Sequence, residues 1–358
     1  MGAVATSLWT QPLATFTTSI SSGKTTTRDD NGRNPLYGST GQIGTTNMTE
    51  FTGPSILVAR VGANAGSVYA VDGSYGVTDN TLVVRPRSNQ SVPFLREFLQ
   101  YIDLNRLVYG SGQPLVTGTM LKRVEVPVLE PAEQLAIADA LTEADRHIRS
   151  LERLITKKQA IKLGMVQQLV SGRTRLPGFA DAWSIGPLKS YFPLQRGFDL
   201  PTPQVRPGPY PVVYSNGVAR THEVAMVRGP GVVTGRSGTI GKVHFVEMDY
   251  WPHNTSLWVT DSSRADAKFA YYFLSHLGLG RFASGSGVPT LNRNDAHDFE
   301  VRVPEDLTEQ RAIAKVLASV DKDLARIRAR LTKAHSIKQG MMQQLLSGRT
   351  RLNVEPAS

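Results

Sequence analysis

The residues best suited to chemistry in this chain form near-complete motifs, and each lacks an essential member. Asn34-Pro35-Leu36-Tyr37 approaches the Asn-Pro-Pro-Tyr box that holds a flipped base for methyl transfer, but the second Pro is missing. Ser22-Gly23-Lys24-Thr25 resembles the end of a phosphate-binding loop, yet the Gly that such a loop requires at position 18 is Thr18. The stretch from Gly235 to Lys242 is one residue too long for the same loop and continues into Val243 where a Ser or Thr would hold magnesium. There is no Cys, which removes disulfides, thiolate nucleophiles and zinc-thiolate sites together and fits a reducing cytoplasm. The seven His are scattered without a ligand-spaced pair, so no metal is expected. No Gly-rich turn after a strand offers a fingerprint for S-adenosylmethionine, and no acidic cluster resembles a nuclease site. The chain is therefore read as carrying no catalytic residue, no metal and no cofactor of its own.

Its charge points instead to binding. The 358 residues carry a net charge of +10. Residues 131–176 hold 8 basic against 5 acidic groups and residues 305–352 hold 10 against 5, while the rest is close to balanced. A polyanionic partner fits this distribution. No apolar run reaches the ~18 residues of a membrane span, and no signal peptide is recognisable at the start. Met1 to Thr6 fits the loose myristoylation pattern, with nothing else pointing to a membrane.

What would position binding residues is a unit written twice. At a shift of 176 residues, Glu133-Gln134 meets Glu309-Gln310, Ala136-Ile137-Ala138 meets Ala312-Ile313-Ala314, and Ser171-Gly172-Arg173-Thr174-Arg175-Leu176 recurs unchanged from Ser347 to Leu352. Over residues 133–176 the copies agree at 22 of 44 positions without a gap, too many for coincidence. Between these stretches only a skeleton is kept: Pro35, Ser39 and Gly41 meet Pro211, Ser215 and Gly217, and Gly62 meets Gly238. With small gaps, Trp9 meets Trp183, Asn80-Thr81 meets Asn254-Thr255, and Val126-Pro127 meets Val303-Pro304. The copy of the Asn-Pro-Leu-Tyr stretch, at 210–214, has lost its Asn. Turn residues survive while the surfaces between them differ, as expected of one fold used for two ligands.

The well-matched stretches read as helices. Glu130 to Glu133 and Asp306 to Glu309 each place an acidic residue three before a Glu, as in a capping box, and Gly172 and Gly348 supply left-handed stops. Ile313, Leu317, Val320, Leu324, Ile327, Leu331 and Ala334 alternate steps of four and three, a coiled-coil seam. The first copy runs Ile137, Leu141, Ala144, Ile148, Leu151, Ile155 and loses register at Lys158. Helices of ~40 residues are ~60 Å long, too long to be covered by a small domain. The expectation is an antiparallel pair with an approximate two-fold axis. Gly164 and Gly340, at equivalent helical places, are expected at a close helix crossing, since Gly otherwise costs ~1 kcal/mol there. Short apolar runs at Ile56–Ala59, Thr81–Val84, Val232–Thr234 and Ser256–Val259 read as strands, and 93–108 and 267–281 as helices. The fold class expected is mixed α/β: domains at 1–130 and 173–304, helices at 131–172 and 305–348, and a tail at 349–358.

Taken together, Ile20 to Thr25 followed by Tyr37 to Gly41, the run Leu194 to Pro201, and the twin Glu-Gln-x-x-Ile-Ala helices ending in Gln-Gln-Leu-x-Ser-Gly resemble the specificity subunits of type I restriction-modification systems. The resemblance covers essentially the whole chain. It implies two target-recognition domains, each reading one half of a split DNA site, and helices that space them and dock two modification subunits. It also implies that those partners bind S-adenosylmethionine and methylate adenine N6, and that a restriction subunit can join. Read with groove chemistry, the candidate DNA contacts are Lys24, Thr25, Arg28, Arg33, Ser39 and Arg60 in the first copy, and Arg196, Arg206, Ser215, Arg220 and Arg236 in the second. The basic stretch Arg146, Arg149, Arg153, Lys157, Lys158 could meet spacer phosphates, partner subunits or water alone. Two other readings stay open at this stage: an enzyme acting on DNA alone, and a coiled-coil adaptor without sequence preference.

Overall fold

The computed structural model describes residues 9–107, 115–261, 263–285 and 289–352. The N-terminal acylation pattern and the last residues of the tail lie outside them. The chain divides into two compact units, residues 1–152 with 329–358, and residues 153–328. The cuts fall inside the long helices, Pro131–Val170 and Leu307–Met341, not at their ends. Each unit thus owns one mixed domain and a portion of both helices.

In the first domain the apolar run at 55–59 becomes a central strand, Ser55–Ala59, in a sheet ordered Thr17–Ser22, Thr81–Pro86, Ser55–Ala59, Val68–Val71. Side chains alternate across a strand, so Ile56 and Val58 enter one core while Leu57 enters another with Val83, Tyr75 and Val77. A strand covered on both faces needs apolar residues at every position, which is why its sequence shows no alternation. A second sheet is ordered Gly41–Thr46, Asn34–Gly38, Ser74–Val77, Phe51–Thr52. The helix Val92–Tyr101 caps the first sheet with Phe94, Leu95, Phe98 and Leu99 and carries Pro93 in its first turn behind the cap Ser91. The second domain repeats the plan. Leu194–Arg196, Ser256–Val259, Gly231–Gly235 and Val243–Val246 form its main sheet, and Ala267–Leu277 its covering helix.

Within each unit the long-helix segments run antiparallel. Lys162 Nζ meets Asp321 at 2.5 Å and Lys158 Nζ meets Asp323 at 3.6 Å in the second unit. In the first, Lys338 Nζ meets Asp145 at 2.7 Å. The seam residues Ile137, Leu141, Ile148, Leu151, Ile313, Leu317, Leu324 and Ile327 are buried; Ile155, Val320 and Leu331 are half-buried. Where the first seam loses register at Lys158, ion pairs replace apolar contacts. The helix then turns a different face, Met165, Val166, Leu169 and Val170, to the second domain. Gly164 and Gly340 do not mark a close crossing: a Cβ at either would meet nothing within 4 Å.

The twin motifs are explained by what they hold. Glu309 and Glu133 are almost fully buried in the first turn of each helix. Neither forms the expected capping box. Arg175 grips Glu309 through Nε (2.5 Å) and Nη2 (2.7 Å), and Arg351 grips Glu133 through Nε (2.7 Å) and Nη2 (2.5 Å). Each Arg follows the end of the other long helix, past a stop at Gly172 (φ 70°) or Gly348 (φ 65°) where Cβ would be strained. A third donor differs: the Trp183 indole N–H for Glu309 (3.2 Å), the Leu352 amide for Glu133 (3.2 Å). Trp9, matched to Trp183 by sequence, is instead 69% exposed. The neighbouring Gln docks each domain. Gln134 Oε1 accepts the Ser91 N–H (3.0 Å) and Gln310 Oε1 accepts that of Asp266 (2.7 Å), the residues that cap the covering helices. Of the two predicted acidic caps, Asp306 does accept the Thr308 N–H at 2.7 Å.

Replacing Arg351 by Ala leaves the Glu133 carboxylate buried and unmatched. Arg351 is half exposed, so the expected loss is about 1–3 kcal/mol, that of an unsatisfied buried group, below the cost of breaking a fully buried pair. Urea unfolding reads the loss, and Glu133→Gln in the same chain should recover part of it. Unchanged stability in Arg351→Ala would show the clamp to be incidental.

Candidate nucleic-acid interface

The loops that follow the first strand of each main sheet carry five of the eleven predicted contacts, and the structure sorts them all. In the first domain Gly23 sits where a Cβ would collide with the Val77 carbonyl, which forces a small residue. Beyond it the amides of Lys24 and Thr25 donate to the Glu50 carboxylate at 2.7 and 3.0 Å. The Thr25 hydroxyl donates to the same group at 2.5 Å and the residue is 1% exposed, so Thr25 is a structural tie. Lys24 and Arg33 are exposed, and Arg28 lies across Gly44 with Nε 3.1 Å from Asp30. Ser39 is half-buried in the turn between Asn34–Gly38 and Gly41–Thr46. The Asn34 amide donates to Met48 O (3.2 Å) and Thr49 Oγ1 (2.8 Å), and Tyr37 packs edge-on to Tyr75. The near-miss methyltransferase box is thus a strand of the second sheet, tied to a loop at Asn34 and to the core at Tyr37.

In the second domain Arg196 Nη2 pairs with Asp199 at 3.0 Å, and Asn254 donates to the same carboxylate. Arg206 pairs with Glu223 at 3.2 Å, just past the strand Gly217–His222, on which Arg220 stands exposed in a second sheet with Tyr210–Tyr214 and Trp251–Pro252. Ser215 lies at the turn before that strand, its carbonyl 3.3 Å from His244 Nε2. Arg236 leaves the end of Gly231–Gly235; its N–H donates to Thr255 O (2.9 Å) and its carbonyl accepts the Leu291 N–H (2.8 Å). Arg60 leaves Ser55–Ala59 in the same way, donating to Asn80 O (2.9 Å) and accepting from Val116 N–H (2.8 Å). These ladders align Asn80 with Thr255, one residue away from the match read in the sequence.

Arg196 and Arg236 meet in an open cleft of ≈ 600 Å³, together with Gln195, Asp199, Thr290, Asn292 and Arg293. Arg206, Ser215 and Arg220 do not line it. Gln195, Asn292 and Arg293 are additions that sequence reasoning missed. A signal was available: Gly285-Ser286-Gly287-Val288-Pro289 repeats Gly110-Ser111-Gly112-Gln113-Pro114, which marks the residues just after each as a duplicated segment. Such a surface, with three Arg, two amides and one carboxylate that orients Arg196, can donate to and accept from base edges and phosphates. Among the described residues no group of His, Asp or Glu could hold a metal.

Comparison with known proteins places the chain. The model of the type I restriction modification DNA specificity domain matches residues 17–163 and 203–334, well over half of it. The chain belongs to this family. A putative type I restriction enzyme specificity subunit, MjaX, from Methanocaldococcus jannaschii is 22% identical over 306 residues, covering 76% of this chain and 72% of the relative. The MjaVIII specificity subunit of the same organism is 20% identical over 341 residues, covering 83% and 79%. The crystal structure of a type I restriction-modification S subunit from M. genitalium shares the fold with a TM-score of 0.67 at 16% identity, covering 94% of this chain and 96% of that one. The protein is a specificity subunit, a non-catalytic part whose work is DNA recognition.

Its second domain holds five His and its first, residues 1–130, none. The Leu194 N–H, at the start of the strand carrying Gln195 and Arg196, donates to His297 Nε2 at 2.9 Å. Burial holds the His297 pKa below its ordinary value, helped by Arg293 and Lys189 and opposed by Asp298. Burial likewise lowers His253, whose ring lies 4.2 Å from that of Tyr214. Because the folded state favours neutral rings, their contribution is complete above the unfolded pKa of about 6.5 and is lost as pH falls through it toward the folded value. Protection from hydrogen exchange at Leu194 to Arg196, taken relative to the intrinsic rate at each pH, should therefore weaken as pH falls below about 6.5, and His297→Gln, which keeps an acceptor that does not titrate there, should flatten the response. An equal response in the strand Thr17–Ser22 would show a global effect instead.

Proposed function

We propose that the two domains of this specificity subunit each read one half of an asymmetric, split DNA site in the cytoplasm. The paired helices set the spacer and dock two modification subunits. Those partners bind S-adenosylmethionine and methylate adenine N6 in each half, and restriction subunits join the same assembly to act on unmodified DNA. This chain contributes recognition and geometry. The observation that carries the reading is one scaffold used twice with unlike surfaces: matched Arg–Glu clamps and docking glutamines hold two domains whose exposed polar loops differ, Lys24, Arg28 and Arg33 in one and Arg196, Arg206 and Arg220 in the other. Different loops on one scaffold favour two different half-sites. A helix of 40 residues with a defined antiparallel register supports the role of spacer. Arg149, Arg153 and Lys157, exposed along the first helix, suit either spacer phosphates or an acidic partner surface. No helix among the described residues is long and apolar enough to cross a membrane.

Methylome sequencing of cells carrying the chain with its modification subunits should give a split motif with one modified adenine in each half. Exchanging residues 1–130 for those of a relative should replace one half and leave the other. Inserting one heptad at 152/153 and another at 328/329 keeps the helix register and should lengthen the spacer with both halves unchanged. Methyl transfer by the pure chain alone, or a half-site altered by the insertions, would count against the reading.

A further inference from the structure

Superposing the hydrogen-bond ladders of the two domains shows which polar residues were kept and which were exchanged. Ala59 pairs with Thr81 as Gly235 pairs with Ser256, and Ser22 pairs with Leu82 as Arg196 pairs with Leu257. Val116 donates to the Arg60 carbonyl as Leu291 donates to that of Arg236. The equivalences around the cleft follow: Ser21 with Gln195, Ser22 with Arg196, Arg60 with Arg236, Thr117 with Asn292, Gly118 with Arg293. Thr117 and Asn292 confirm the register, since each caps the short helix that follows (Met120 N–H to Thr117 Oγ1, 3.2 Å; Asn294 N–H to Asn292 Oδ1, 3.1 Å). Around this point only the arginine is common to both domains. The other four positions hold short hydroxyls or Gly in the first domain and long donors or amides in the second.

Taking the two domains as readers of DNA, as proposed above, we infer that Arg60 and Arg236 are matched phosphate anchors, while Gln195, Arg196, Asn292 and Arg293 discriminate bases of the second half-site. Two different half-sites share a sugar-phosphate backbone and differ in base edges, so a residue kept in both domains belongs to the shared part. The electrostatics agree. Among the described residues neither Arg60 nor Arg236 has a carboxylate partner, and Arg60 Nε is sealed from solvent with no acceptor, a half-buried cation with its charge uncommitted. Arg196 differs: Asp199 fixes its guanidinium, and that carboxylate would repel a phosphate but leaves the remaining N–H groups aimed for a base edge. Gln195 keeps both amide groups free of partners among the described residues, the arrangement that reads adenine. Asn292 commits one lone pair to its cap and retains its NH2.

The test uses the complete complex with its modification subunits, in DNA-binding measurements across salt concentrations and in selection from random sequence. Arg60→Gln and Arg236→Gln should weaken binding to cognate and unrelated duplexes by a similar factor and lower the salt slope by about one phosphate contact each, with the selected motif unchanged. Arg236→Lys should retain most of the affinity, because a point charge serves a phosphate but not a bidentate base contact. Asn292→Asp keeps the cap acceptor and so the fold; with Gln195→Leu and Arg293→Gln it should change preference at positions of the second half-site only, by roughly 5–150-fold per affected base. A motif altered by Arg236→Gln, or a second half-site indifferent to all three reader variants, overturns the assignment. Should the unaltered complex show no split motif at all, the functional reading itself fails, which the same selection reveals separately.

Discussion

A carboxylate buried at the start of each long helix organises this protein. Glu133 and Glu309 lie where the positive end of the helix dipole favours them, but burial would still disfavour their charge without a fixed cation. The cation comes from the Arg three residues after the Gly that stops the opposite helix, and the grip is bidentate in both units. Within each unit the start of one helix and the end of the other are thereby held together. The adjoining glutamines then bind the capping turn of each domain's covering helix, so the same two-residue signature sets helix to helix and helix to domain.

Further along, the same logic recurs in ion pairs at matched positions. Lys162 with Asp321 and Lys338 with Asp145 occupy equivalent places in the two units, and each is joined by a residue of the covering helix: Tyr272 donates to Asp321 at 2.7 Å, and Glu97 stands 3.8 Å from Lys338. The orientation of each domain on its helices is therefore fixed by polar contacts that tolerate little rotation, with the apolar seam supplying most of the burial. A recognition protein benefits from this division. Loops can change without disturbing the frame, because almost nothing in the clamps depends on them.

Some of this was legible from the amino acids alone. The steps of four and three from Ile313 to Ala334, the double-sided apolar run at Ile56–Ala59, and the Gly stops at 172 and 348 follow from local periodicity and backbone sterics, which one segment carries by itself. The repeat also marked Glu133, Gln134 and Arg175 as unusual, although their meaning as a clamp was hidden, since the partners are more than a hundred residues apart. Thr25 and the two helical glycines misled for the same reason: residue type suggested a role that only their neighbours in space could grant or refuse. Asn80 was misaligned by one residue because loops of different length leave no local marker of register.

By itself the sequence determined the duplication, the mixed α/β class, the long paired helices and the absence of any complete catalytic motif, because each is written in short-range pattern or in one-dimensional self-similarity. Tertiary structure alone decided which arginines share a cleft, which is tied to a carboxylate, and which polar residues are ties within the fold. Those properties depend on strands and loops converging from positions as distant as 195, 236 and 293, and no pattern along the chain encodes such a distance.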